Sequence, residues 1–109
     1  MAATAKILGQ VKPAVSTSTG LYTVPAGYQS QLNIYIVNQS TSAPNKFRVA
    51  IIPSGQSMQN AYWIVYDFEC PIGATIKLDG IALNSGDSIK VYNSTAGDIS
   101  FTATGLEIN

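Results

Sequence analysis

Apolar side chains recur at every second position along this chain. In residues 30–37, Leu32, Ile34 and Ile36 fall on one side and Gln31, Asn33 and Tyr35 on the other. That alternation belongs to a strand with one face on a core and one in water. Residues 46–52 repeat it, with Phe47, Val49 and Ile51 inward and Lys46, Arg48 and Ala50 outward. Residues 61–70 set Tyr62, Ile64, Tyr66, Phe68 and Cys70 on the inward side and Trp63, Val65, Asp67 and Glu69 opposite. Residues 88–92 turn Ile89 and Val91 inward, and residues 98–104 do the same with Ile99, Phe101 and Ala103. Residues 75–78 and 81–83 flank Asp79-Gly80 and are expected to form a tight hairpin. Residues 5–10 and 21–24 are weaker strand candidates. Gly and Pro are too frequent for a long helix.

Turn residues separate these segments: Pro25-Ala26-Gly27, Asn84-Ser85-Gly86-Asp87 and Ala96-Gly97-Asp98. Residues 38–45 and 53–60 read as polar loops. Eight or nine short strands, each with one apolar face, need two packed layers. The expected fold is therefore all-β, an antiparallel β-sandwich with jelly-roll or immunoglobulin-like topology. Residues 12–20 are rich in Ser and Thr and read as a linker. Residues 1–20 are accordingly expected to form an N-terminal arm or first strand with its linker, and residues 21–109 the sandwich. At 109 residues the chain suits one domain.

Charged residues make up only 11% of the chain, and six basic residues balance six acidic ones. A nucleic-acid binder that works by neutralising phosphates needs a basic surplus, so none is expected. The chain has no His and one Cys. The His-dependent Ser and Cys triads and an internal disulfide are thereby excluded. No apolar run reaches the length of a membrane span, and residues 1–10 lack the apolar run of a secretory signal. Ser, Thr, Asn and Gln supply 33 residues where a soluble monomer carries more charge. Low net charge favours association, so a homo-oligomer or a place in a larger assembly is expected.

Few residues point to chemistry. Cys70 has inward parity and reads as a buried, inert thiol. Asp67 and Glu69 share the outward side of one segment, where an ion pair with Arg48 accounts for them better than a metal cage of 6–8 oxygens does. No catalytic, metal-binding or cofactor-binding residues are assigned, and no enzyme is expected. Asn38-Gln39-Ser40 and Asn93-Ser94-Thr95 match the glycosylation pattern by chance. Tyr35, Trp63 and Tyr92 have outward parity, with Val65 beside Trp63. Such aromatics anchor protein contacts or stack on sugars. Ile7, Leu8 and Val11 would serve an arm that drapes over a neighbour. These seven residues form the candidate protein interface.

Several segments, in order, carry a resemblance. They are Leu21-Tyr22-Thr23-Val24-Pro25-Ala26-Gly27, Val37-Asn38-Gln39-Ser40, Phe47-Arg48-Val49-Ala50, Ile64-Val65-Tyr66-Asp67, Leu83-Asn84-Ser85-Gly86-Asp87 and Val91-Tyr92-Asn93-Ser94-Thr95, with the ending Gly105-Leu106-Glu107-Ile108. Together they resemble a family of small virion structural proteins of tailed bacteriophages, including phages of cyanobacteria, and of prophages. The resemblance implies a non-enzymatic component of the virion, assembled in the host cytoplasm. It does not place the protein on the particle, and two locations are expected. One is the head, as a capsid decoration (cement) protein that forms a trimer there and contacts the major capsid protein. The other is the tail, as a tail, baseplate or fibre component. A carbohydrate-binding module using Trp63, Tyr35 and Tyr92 is the expectation of another class.

Overall fold

A computed structural model describes residues 2–95 and 97–109. It contains eight strands: β1 (Ala3–Val11), β2 (Thr19–Thr23), β3 (Gln29–Asn38), β4 (Asn45–Ile52), β5 (Trp63–Cys70), β6 (Thr75–Leu83), β7 (Ser88–Asn93) and β8 (Ile99–Ile108). One 3-10 turn, Asn60–Tyr62, leads into β5. The strands form two four-stranded antiparallel sheets, ordered β1-β8-β3-β6 and β2-β7-β4-β5. Successive strands alternate between the sheets except at the β4–β5 pair. An immunoglobulin-like sandwich pairs its first two strands within one sheet. Here β1 and β2 lie in different sheets, and the topology is the eight-stranded jelly roll.

The core follows from the alternation. Leu32, Ile34 and Ile36 of β3, Phe47 and Val49 of β4, Ile89 and Val91 of β7, and Ile99, Phe101 and Ala103 of β8 are all buried. Phe47 and Phe101 meet edge to face across the sandwich, 6.0 Å between centroids. Ala50, expected outward, is fully buried because its cross-strand partner is Trp63, whose large ring shares its face.

Four expectations are corrected. Of the two readings of the N-terminal segment, a draped arm or a first strand, residues 2–20 hold the first strand. Along Ala3–Val11, β1 pairs with β8, and Leu8 and Val11 pack on the core. The linker is likewise tied down: Val15 bridges to Asn93, whose side-chain amide donates to the Pro13 carbonyl at 2.8 Å. Asp79-Gly80 is not a hairpin. Leu32 faces Ile81 and Ile34 faces Leu78, so β6 carries one extra residue and continues as one strand. Gly80 sits at φ 72°, the conformation that a two-residue hairpin and a glycine bulge both demand. Finally, Val65 is not outward, because β5 is bulged twice, as described below, and Phe68 is not core, because it keeps its inward side on an edge strand that leaves it exposed. Met1 and the first residue of the Ala96-Gly97-Asp98 turn lie outside the described residues.

The two long edges of the sandwich differ. At the β1–β2 edge the layers touch. Gly9 sits at a β1 bulge, and a methyl group there would overlap the Leu21 carbonyl of the other sheet. At the β5–β6 edge the layers stand apart. There Phe47, Val65 and Phe68 face Ile76 and Leu78 across an open groove of about 390 Å³, with Ile64 and Tyr66 at its mouth.

Three asparagines inside the sandwich escaped the sequence reading. Asn38 donates to the carbonyls of Cys70 (3.0 Å) and Ala43 (3.3 Å), and its oxygen accepts from Ser40 N–H and Asn45 Nδ2. It thereby joins β3, β4 and β5 at one end of the molecule. Asn38, Asn45 and Asn93 are buried, so neither glycosylation match presents its asparagine to a transferase.

Candidate functional site

Two bulges build the site on β5. Phe47 faces Phe68, but Val49 faces Val65, so β5 uses three steps where β4 uses two. The extra residue falls at Tyr66-Asp67, where Asp67 adopts φ 52°, a conformation that Asp tolerates better than most residues. A second extra residue lies between Val65 and Trp63, which face Val49 and Ala50. Each insertion reverses the parity. As a result Val65 packs inward and Trp63 stays outward, while Ile64 and Tyr66 spill toward the open edge.

On the outer face of this sheet the bulge presents Asp67 to Arg48 of the central strand. Arg48 donates from Nε to Oδ1 at 2.7 Å and from a terminal nitrogen to Oδ2 at 3.1 Å. Ser94 Oγ also donates to Asp67. The guanidinium holds the Asp67 carboxyl below its ordinary range, and the carboxylate raises Arg48 in return. Three rings enclose the same guanidinium. Its carbon lies 4.1 Å from the Tyr66 ring centroid, 4.5 Å from Tyr92 and 5.5 Å from Trp63. Trp63 meets Tyr66 and Tyr92 edge to face. The expected Arg48–Asp67 pairing is thus present, inside an aromatic cluster.

Of the candidate interface residues, the structure brings together Trp63 and Tyr92. Tyr35 lies on the other sheet, where its cross-strand partner Lys77 approaches its ring. Val65 is turned inward. Leu8 and Val11 pack on the core, and Ile7 alone of that group is freely exposed, at 62%. The parity reading missed the exposed row on β5 and its following turn: Ile64 (49%), Tyr66 (60%), Phe68 (56%) and Ile72 (50%). Phe68 keeps its edge-to-face contact with Phe47 at 6.0 Å, yet on an edge strand its other side meets solvent. A run of alternating aromatics gives no sign of which strand will lie at an edge.

Cys70 is buried, and desolvation pushes its thiol up. Among the described residues, no three Cys, Asp or Glu side chains gather as metal ligands. No helix among them is long and apolar enough to cross a membrane. Compared with family models, curated proteins and solved structures, the chain matches none.

Arg48 is the keystone of the cluster. Arg48→Lys keeps the charge but loses the planar fork and its stacking surface. The expected result is a loss of about 1–2 kcal/mol in urea unfolding, with a red shift in fluorescence from Trp63, the sole tryptophan.

Proposed function

We propose that this chain is a structural protein of a tailed-bacteriophage virion: a capsid decoration protein that clusters as a trimer on the head and braces adjacent capsid subunits. The observation that carries this reading is the apolar β5–β6 edge, left open to solvent on a chain of very low charge. Exposed apolar patches of this kind mark protein contacts. A jelly roll with few charged residues suits a protein that works by being packed between others. The resemblance along residues 5–108 supplies the particle. Its action is binding alone: many copies, each adding contact area of the order of 1,600 Å² in total, hold neighbouring subunits together.

The tail, baseplate or fibre location uses the same surface and differs in partner. The sugar-binding alternative keeps Trp63 beside Tyr92 but is less favoured, since Tyr35 lies on the opposite sheet and Arg48 stacks on Tyr92. Immunogold labelling of purified particles tests the proposal. Label over the head is expected. Label over the tail moves the protein to the second location, and unlabelled particles overturn the virion reading.

A further inference from the structure

We infer that the β5–β6 edge is the surface on which a second copy of this chain seats. The inference deepens the proposed function by naming the surface and the occupant. Three observations select that occupant.

The first is charge. Every residue lining the groove is uncharged. The charges on the strands that carry it also balance: Lys46 and Glu69 are cross-strand partners on β4 and β5, and Lys77, over the Tyr35 ring, and Asp79 lie on β6. An uncharged groove on strands whose charges cancel suits an uncharged partner surface, such as that of another copy of this chain. A nucleic acid, an anionic lipid surface or an acidic peptide gains no net attraction from it. Two copies of a chain with zero net charge also approach without long-range repulsion.

The second is area. Ile64, Tyr66, Phe68 and Ile72 are each about half exposed. With aromatics offering 150–250 Å² each, these four supply roughly 400 Å² of apolar surface. That is about half of the ~800 Å² per partner in a standard interface, concentrated where a contact's apolar centre belongs.

The third is the asymmetry of the edges. The chain closes one side of the sandwich by placing Gly9 under the Leu21 carbonyl and leaves the other side apart. Free β-edges are normally blunted by charge, proline or bulges. Here β5 is bulged but has no proline, and its acidic residues are Asp67, engaged by Arg48, and Glu69. The bulge turns Tyr66 and Ile64 toward the opening. A second copy covers these side chains and the unpaired strand edge together.

The test is the mass of the purified chain by size-exclusion chromatography with light scattering over a hundred-fold concentration range. The wild type is expected to associate. Ile64→Lys and Ile72→Glu, both at solvent-facing positions, are each expected to weaken association at least ten-fold with unchanged circular dichroism. Ile7→Lys, on the opposite edge, leaves association intact. Hydrogen exchange supplies a readout without substitution: β5 amides gain protection as concentration rises, while β1 amides do not. A monomer at every concentration overturns the inference, as does an oligomer broken by Ile7→Lys but not by Ile64→Lys. A monomer whose β5 becomes protected only on phage heads assigns the groove to a capsid protein; it refutes the second copy while leaving the virion reading standing.

Discussion

Replacing Lys6 with Met is expected to lower the unfolding free energy by about 3 kcal/mol, whereas Glu107→Gln lowers it by only about 1–2 kcal/mol. The difference comes from burial. Glu107 extends from β8 into the sandwich with its side chain 6% exposed, and Lys6 Nζ lies 2.6 Å from Oε1 with its own side chain 47% exposed. The Tyr22 hydroxyl crosses from the other sheet, lying 2.6 Å from Glu107 Oε2 and 2.6 Å from Ser30 Oγ. Removing Lys6 leaves a buried carboxylate with only Tyr22 beside it. Removing the carboxylate leaves an ammonium that can turn to water. Urea melts of the two single variants and the double variant separate these costs.

The same cluster sets two limbs of a stability–pH curve. Lys6 first, then Tyr22, holds Glu107 below its ordinary value of 4.5. Its contribution is complete above pH 4.5 and disappears as pH falls through the lower folded value. Burial, then the hydrogen bond to Glu107, pushes Tyr22 from 10 up to about 12. That contribution is complete below pH 10 and is lost as pH rises through about 12. Tyr22→Phe should therefore flatten the alkaline limb, and Glu107→Gln the acid limb.

Gly9→Ala is expected to cost about 3 kcal/mol, at the upper end for an overpacked site. The added methyl meets the Leu21 main-chain carbonyl, which cannot swing aside as a side chain would. The β1–β2 edge must part, exposing Leu8 and Val11. Gly20→Ala is the control, since nothing lies within 4 Å of its added methyl; its effect should stay within a few tenths of a kcal/mol. A thermal melt in which both variants lose the same stability would contradict the close approach.

These sites show which parts of the molecule can be read from residue order. Strands β3, β7 and β8 alternate, and β4 does up to Val49, so Leu32, Phe47, Val91 and Phe101 point inward as expected. Strand β5 misled because a bulge inserts a residue without changing composition. No pattern distinguishes Trp-Ile-Val-Tyr-Asp-Phe with a break at Tyr66-Asp67 from the same run without one. Asp79-Gly80 misled for a related reason: positive φ at Gly80 serves a turn and a bulge equally. The cluster around Arg48 was half legible. Parity placed Arg48, Trp63 and Tyr92 outward, but strand order alone brings them together. Lys6, Tyr22, Ser30 and Glu107 come from four different strands, and nothing local joins them.

The most direct measurement is sedimentation of the purified chain with phage heads that lack it. The account predicts saturable binding, with many copies per head and heads that withstand more heat once covered. A chain that stays in the supernatant at every concentration, beside heads whose stability it does not change, would contradict it.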